Sequence, residues 1–407
     1  MSVNGGASES VVFGTHVVAR LDPHPFLDDA LRCMFRSSSR TLALVVLAAL
    51  LACAAASGAG AWRFHHKNPQ APVVGLDEYV VMGWVGWDAS WYARIAEKGY
   101  DYRPGEQSSV AFFPLYPLAI RAVTALGANV YQAGVLVSLL CGPLAVLLFL
   151  RWARRLVGDT AALHAALLLA LYPFTFFLYG VMYSDALFLL LVVGAFLALE
   201  KGHLVLAVAL GALATAARPV APAVVVGLLV RRWEWKRARG ERWSVVDLLP
   251  VLSALGFGFY VLYLERHFGA PFAFVDAQAG WGQMPGWEAW LKLPWFKAVF
   301  HEGNAEVKLR LLVHALLTGV ALALVIPTFR RLGWGYGAFC AVIVGIPFVA
   351  TKDFMGMGRY LLSAFPLFVT LALLLGDHPR VRQGLWALGA VSLVVLSAAF
   401  ALDHYVS

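Results

Sequence analysis

Charge is scarce in this chain: Asp, Glu, Lys and Arg together make up 14% of 407 residues, against 60% hydrophobic residues. With a mean hydropathy of +0.72, that excludes an ordinary soluble domain and makes lipid the natural solvent. Cysteine is also sparse. The four, Cys33, Cys53, Cys141 and Cys340, are scattered, and no pair has metal-ligand spacing. There is no G-x-x-x-x-G-K-[ST] loop for a nucleotide phosphate, no Asp-x-Asp and no His-x-x-x-His. His65-His66 and His301-Glu302 alone do not make a metal site, so neither a metal nor another cofactor is expected. No fixed-period repeat occurs, which argues against a solenoid.

What the chain has is long apolar runs. Stretches long enough to cross roughly 30 Å of hydrocarbon lie at about 41–62, 131–151, 160–180, 184–200, 245–264, 309–329, 334–350, 360–376 and 384–402. The net charge of +8 does not point to nucleic acid. The Lys and Arg gather in short loops, where they set orientation by the positive-inside rule. Arg36 and Arg40 place the N-terminus in the cytoplasm, and Arg151, Arg154 and Arg155 place the next basic loop there. The basic loop after 230 belongs on the same side as Glu200-Lys201, so 203–230 must be a hairpin of two short helices with Arg218-Pro219 near its tip. The expectation is an all-α polytopic bundle of about eleven membrane helices, N-terminus in and C-terminus out. Residues 1–40 read as a disordered cytoplasmic tail and 41–407 as one membrane domain, with large extracytoplasmic loops at 63–130 and 266–308.

On this topology the unexplained acids, cations and aromatics converge on the extracytoplasmic face. Asp88 sits between Trp87 and Trp91-Tyr92 at the start of an amphipathic stretch, 89–98, suited to the membrane interface. It is either a general base of raised pKa or simply a helix N-cap. Residues 111–117, with Phe113 and Pro114, form either a ring-lined surface for a sugar or an isoprenoid, or an ordinary re-entry turn. Arg218 is an intramembrane cation that either contacts a lipid phosphate or snorkels. Asp185 either caps its helix or pairs with Asp88. Lys352 and Arg359 are either site cations or interface anchors.

Taken together, Trp87-Asp88, Ile95-Ala96-Glu97, Gly99-Tyr100, Ala111-Phe112-Phe113-Pro114, Tyr183-Ser184-Asp185-Ala186-Leu187-Phe188, Leu199-Glu200-Lys201-Gly202, Ala214-Thr215-Ala216-Ala217-Arg218 and Gly358-Arg359-Tyr360-Leu361 resemble the PIG-V family of mannosyltransferases, which add the second mannose in glycosylphosphatidylinositol synthesis, and their bacterial relatives. The resemblance implies a GT-C fold whose first extracytoplasmic loop bears the catalytic acid. It also implies a polyprenyl-phosphate-mannose donor and inversion at the anomeric carbon. Carried over by residue, it makes Asp88 the base, Asp185 a second acid and Arg218 a phosphate contact; Arg359, Lys352, Trp87, Trp91, Tyr92, Tyr100, Phe113, Pro114 and Tyr183 are the further residues expected to bind the donor phosphate and substrate. Arg103 stands where the eukaryotic pattern has an acid, and Pro219-Val220 replaces the Asn-Gly after the family arginine. The acceptor, a lipid or glycan, is therefore not carried over. The Ala, Val and Leu bias and short loops suit a bacterial plasma-membrane protein. Two other classes compete: a transporter or flippase of a lipid-linked sugar, whose unusual residues would sit within spans, and a non-catalytic subunit of a membrane complex.

Overall fold

The computed structural model describes residues 37–66, 76–283, 286–301 and 304–406. The expected tail therefore lies outside the described residues up to residue 36. Among the described residues the chain is helical throughout, with no strand. Five helical stretches are long and apolar enough to cross a membrane: Ser37–His66, Val130–Ala170, Val245–Phe268, Ala305–Leu332 and Pro379–Ala401. Their outward faces carry exposed Leu44, Leu47 and Leu51, then Leu309, Leu312 and Leu316, then Leu388, Val391 and Val395. That three-to-four-residue spacing is the pattern of a helix stripe turned toward lipid.

Helix Val130–Ala170 is broken at Gly158, which adopts φ 78°, ψ 175°, so the two expected spans around 151–160 fall on either side of a glycine that permits the turn. Proline redraws two other expected spans, because it lacks an N–H and clashes with the preceding turn. The segment 245–268 begins as a 3-10 helix, Val245–Ala254, containing Pro250. Residues 357–374 bend by 92° ahead of Pro366. Two of the expected spans are short helices, Leu204–Thr215 and Trp334–Ala350, and 160–180 is α-helical only to Ala170 before a 3-10 turn, Pro173–Leu178.

The helix Asp185–Glu200 lies at the centre, every residue but Leu187 and Leu190 buried. A helix apolar all round must be packed on all sides. Its two ends fix the fold of 203–230. Asp185 at the first end pairs with Arg218, and Glu200 at the other end pairs with Arg231 at 2.6 Å. The chain after Glu200 therefore runs back through Leu204–Thr215 to the level of Arg218, turns at 216–220, and descends again in Ala221–Ala238. This is the hairpin that the charge pattern requires. Close approach is carried by small residues: a Cβ on Gly256 would collide with the Ala212 carbonyl, and one on Gly142 with that of Leu178.

Candidate active site

The corner 83–88 and the turn 180–185 are stitched together by their own residues. The Met182 N–H donates to the Trp84 carbonyl (3.1 Å). The Asp88 N–H donates to Tyr183 Oη (3.1 Å), which in turn donates to the Gly86 carbonyl (3.4 Å). Tyr92 Oη donates to Ser184 Oγ (3.1 Å). Gly180, at φ 138°, leaves room for the Trp84 ring, which a Cβ there would strike. These bonds bring two acids 97 positions apart in chain order onto one site, since Asp88 follows the corner and Asp185 opens the central helix.

Asp88 occupies the N-cap position of Ala89–Lys98, yet its side chain makes no capping bond. It turns instead toward Arg359, whose Nη1 lies 3.4 Å from Asp88 Oδ2. Trp87, immediately before it, holds φ 52°, a left-handed conformation that few non-glycine residues adopt. Its ring is 41% exposed and meets Tyr405 edge to face at 5.0 Å.

Arg359 is carried by the short turn Met357–Tyr360. The peptide of Gly358 is held from both sides: its N–H donates to His314 Nδ1 (3.0 Å) and its carbonyl accepts from Tyr172 Oη (2.9 Å). The Phe174 ring occupies the space a Cβ on Gly358 would need. The guanidinium lies over the rings of Tyr183 (4.9 Å), Tyr360 (5.1 Å) and Phe177 (5.4 Å), so its planar face is packed and its edge points at the acids. Arg218 bonds to Asp185 Oδ1 through Nη1. Arg359 Nε approaches Asp185 Oδ2 only to 3.9 Å and is a buried donor without a hydrogen-bond partner.

The four charged groups differ in access. The Asp185 side chain is 2% exposed, both guanidinium side chains 11%, and Asp88 30%. Asp88 alone can meet an incoming molecule freely. Burial pushes its carboxyl above the usual carboxylate range, with the Arg359 charge and hydrogen bond pulling the other way. Burial also lifts the Tyr92 hydroxyl to about 12, opposed by its bond to Ser184.

Of the residues expected at the site, Asp88, Asp185, Arg218, Arg359, Tyr183 and Tyr92 come together, and Trp87 borders them. Trp91 stands aside in an aromatic wall with Phe112 (5.9 Å, stacked) and Trp281 (5.7 Å). Three others are packed elsewhere. Tyr100 donates to the Phe112 carbonyl (2.9 Å) and lies against Tyr260 and Tyr263. Phe113 is buried among Phe257, Tyr260 and Phe274. Pro114 is the N-cap of Leu115–Thr124. Lys352 bonds through its backbone N–H to Gln283 (2.8 Å) and, among the described residues, makes no ion pair with either acid. His314 and Tyr172 escaped the sequence reading, although a lone histidine inside the apolar run 309–329 is the kind of intramembrane polar residue that signals a role. No three His, Cys, Asp or Glu side chains cluster among the described residues.

This constellation of two carboxylates and two guanidiniums lies largely within one recognisable stretch of sequence. Residues 33–231 match the mannosyltransferase (PIG-V) family model. That PIG-V match agrees with the resemblance read from the motifs and contains Asp88, Asp185 and Arg218, while Arg359 lies beyond it. Two solved structures are similar in part. One is an Archaeoglobus fulgidus oligosaccharyltransferase in complex with Zn and sulfate, at 15% identity and a TM-score of 0.45 over 88% of this chain and 53% of that one. The other is the oligosaccharyltransferase AglB of the same organism with an inhibitory peptide and a dolichol-phosphate, at 13% identity and 0.42 over 89% and 56%. The chain thus spans little more than half the length of these structures. No curated protein matches it.

Proposed function

We propose that this chain is an integral-membrane hexosyltransferase of the GT-C type, moving mannose from polyprenyl-phosphate-mannose to a hydroxyl of a lipid-linked or glycan acceptor on the extracytoplasmic face. The observation that carries the reading is Arg359. It joins the accessible carboxylate of Asp88 to the buried Asp185–Arg218 pair, and its buried Nε has no hydrogen-bond partner among the described residues.

In this mechanism Asp88 accepts the proton of the acceptor hydroxyl as its oxygen attacks the anomeric carbon. The C1–O bond to phosphate breaks with inversion, from a β-linked carrier to an α-mannoside, and polyprenyl phosphate leaves with the electron pair. Arg218 and Arg359 meet the charge that grows on the phosphate, for which a guanidinium fork is suited. Asp185, too buried to reach a substrate, orients both arginines. Arg359 also opposes the burial that raises the Asp88 carboxyl and so favours its ionised, proton-accepting form. A positioned general base contributes about 10²–10⁴-fold to rate. The site lies at one end of the apolar helices, where a carrier phosphate anchored by its isoprenoid tail would sit.

The test is transfer of label from radiolabelled polyprenyl-phosphate-mannose in membranes holding the wild-type chain or Asp88→Asn. Label moving only with the wild type supports donor, reaction and base together. No transfer with either would refute this donor reading and favour a transporter of a lipid-linked sugar.

A further inference from the structure

Beside the corner that carries Asp88 lies a second concavity, lined by neither arginine of the site. It is a cleft of about 540 Å³, within the range of small-molecule sites. It opens between the end of Ser37–His66, the helix Leu76–Met82, the start of Val130–Ala170 and the end of Pro379–Ala401. Its polar lining comprises Glu78, Asn129, Gln132 and Asp403, and its apolar lining includes Phe400. None of the described residues lining it is basic. Gly86, also in the lining, is the residue whose carbonyl accepts from Tyr183, two positions before Asp88.

We infer that this cleft seats the acceptor, and that the acceptor is an uncharged, hydroxyl-bearing amphiphile. The inference rests on the transferase reading. Its ground is the opposite electrostatics of the two sides of the corner 86–88. The arginine side suits a phosphate. The cleft side offers two carboxylates and the amides of Asn129 and Gln132, whose oxygens cap Val130–Ala170 and whose NH2 groups are left to meet hydroxyls, beside the exposed rings of Phe64 and Tyr131, on which a sugar ring can lie. An anionic headgroup would meet Glu78 and Asp403, with no cation among the described lining residues to offset them. The apolar lining combines Val81, Met82 and Val85 with the ends of two candidate spans, Ala61 and Phe64 of one and Phe400 and Ala401 of another, which would lead an alkyl tail from the cleft into lipid. Asp88 itself does not line the cleft, but Gly86, two positions before it, does, so an acceptor hydroxyl rounding this corner would meet the sugar carbon on the arginine side.

The experiment uses the full chain in phosphatidylcholine nanodiscs and a photoreactive, radiolabelled octyl glucoside. Saturable labelling of peptides spanning 78–86 and 129–132 is expected, competed by unlabelled octyl glucoside and not by octyl phosphate. Gln132→Trp, at an exposed position, fills the cleft and should abolish it. Glu78→Lys, also exposed, should let octyl phosphate compete. Asp403 holds φ 66°, so Asp403→Asn is its conservative partner, and it should weaken the exclusion of octyl phosphate without loss of folding. Labelling spread over lipid-facing helices and unchanged by Gln132→Trp would overturn the proposal, as would octyl phosphate competing equally in the wild type. Labelling needs no donor and no turnover. Glucoside binding in a chain that transfers nothing would therefore refute the transferase reading and leave the cleft, whereas full transfer in Gln132→Trp would refute the cleft and leave the transferase.

Discussion

Arg359 stands between two carboxylates that it does not serve equally: Asp88 Oδ2 is 3.4 Å from its Nη1, and Asp185 Oδ2 is 3.9 Å from its Nε. Asp185 already has Arg218. The second arginine is thus held by packing against Tyr183, Tyr360 and Phe177 more than by saturated hydrogen bonds, and it keeps donor capacity for a ligand.

Asp88→Asn should fold and lose about 10²–10⁴-fold in transfer. Its stability gives a second readout. The Asp88 carboxyl is raised in the folded state, so its contribution to stability is fully present below the unfolded carboxylate value and is lost as pH rises through the folded one. At neutral pH the Asn variant should melt no lower than wild type, and any gain should vanish on acidification. Thermal melts of both proteins across acidic and neutral pH check this. An Asn variant less stable at neutral pH would mean that the Arg359 pair outweighs burial.

Activity should follow the same ionisation in the opposite sense. In the proposed mechanism transfer requires Asp88 deprotonated, so the rate should fall as pH drops through a midpoint above the ordinary carboxylate range, because burial raises it. A pH–rate profile with its acidic limb at or below the usual carboxylate value would contradict this.

Asp185→Asn should cost about 3–5 kcal/mol, because it leaves buried guanidinium charge without its partner. Replacing both members of the pair, Asp185→Leu with Arg218→Met, should recover much of that loss while activity stays absent. Denaturation of Asp185→Leu, Arg218→Met and the double variant closes a thermodynamic cycle. A double variant as unstable as the sum of the singles would show that the two side chains act independently.

Gly358→Ala drives a methyl into the Phe174 ring, an overpacking that costs about 1–3 kcal/mol and displaces Arg359. Turnover should fall more than the melting temperature suggests, and Phe174→Leu in the same chain should restore part of it. Equal loss with and without Phe174→Leu would place the defect elsewhere.

Single residues that break a local rule were readable from the chain. Asp88, Asp185, Arg218 and Arg359 are charges at the edges of apolar runs, which hydropathy does not explain, and the basic loops require the turn within 203–230. Helix 89–98 shows its buried face, Tyr92, Ile95 and Ala96, in its spacing. Pairings were not readable. Arg359 meets Asp88 across 271 positions, and nothing local announces it. Nor does composition separate an aromatic that packs elsewhere from one that joins the acids: Phe113 and Tyr100 sit in the same motif stretch as Tyr92, yet their rings are committed to Tyr260 and its neighbours. The missing signal at His314 was its partner, the Gly358 backbone, which a sequence reading cannot supply.

The central helix fixes more than a pair of ion bridges. From Asp185 to Glu200 its axis covers only ~22 Å at 1.5 Å per residue, shorter than the roughly 30 Å of a typical hydrocarbon core. The two charged tiers anchored at its ends are therefore closer together than the faces of an undisturbed bilayer. Lipid around this protein must thin, or the reacting centre must sit below the surrounding headgroup plane. On the proposed transferase reading, bilayer thickness then becomes a variable of the reaction, setting how far a carrier phosphate must descend to reach Arg359.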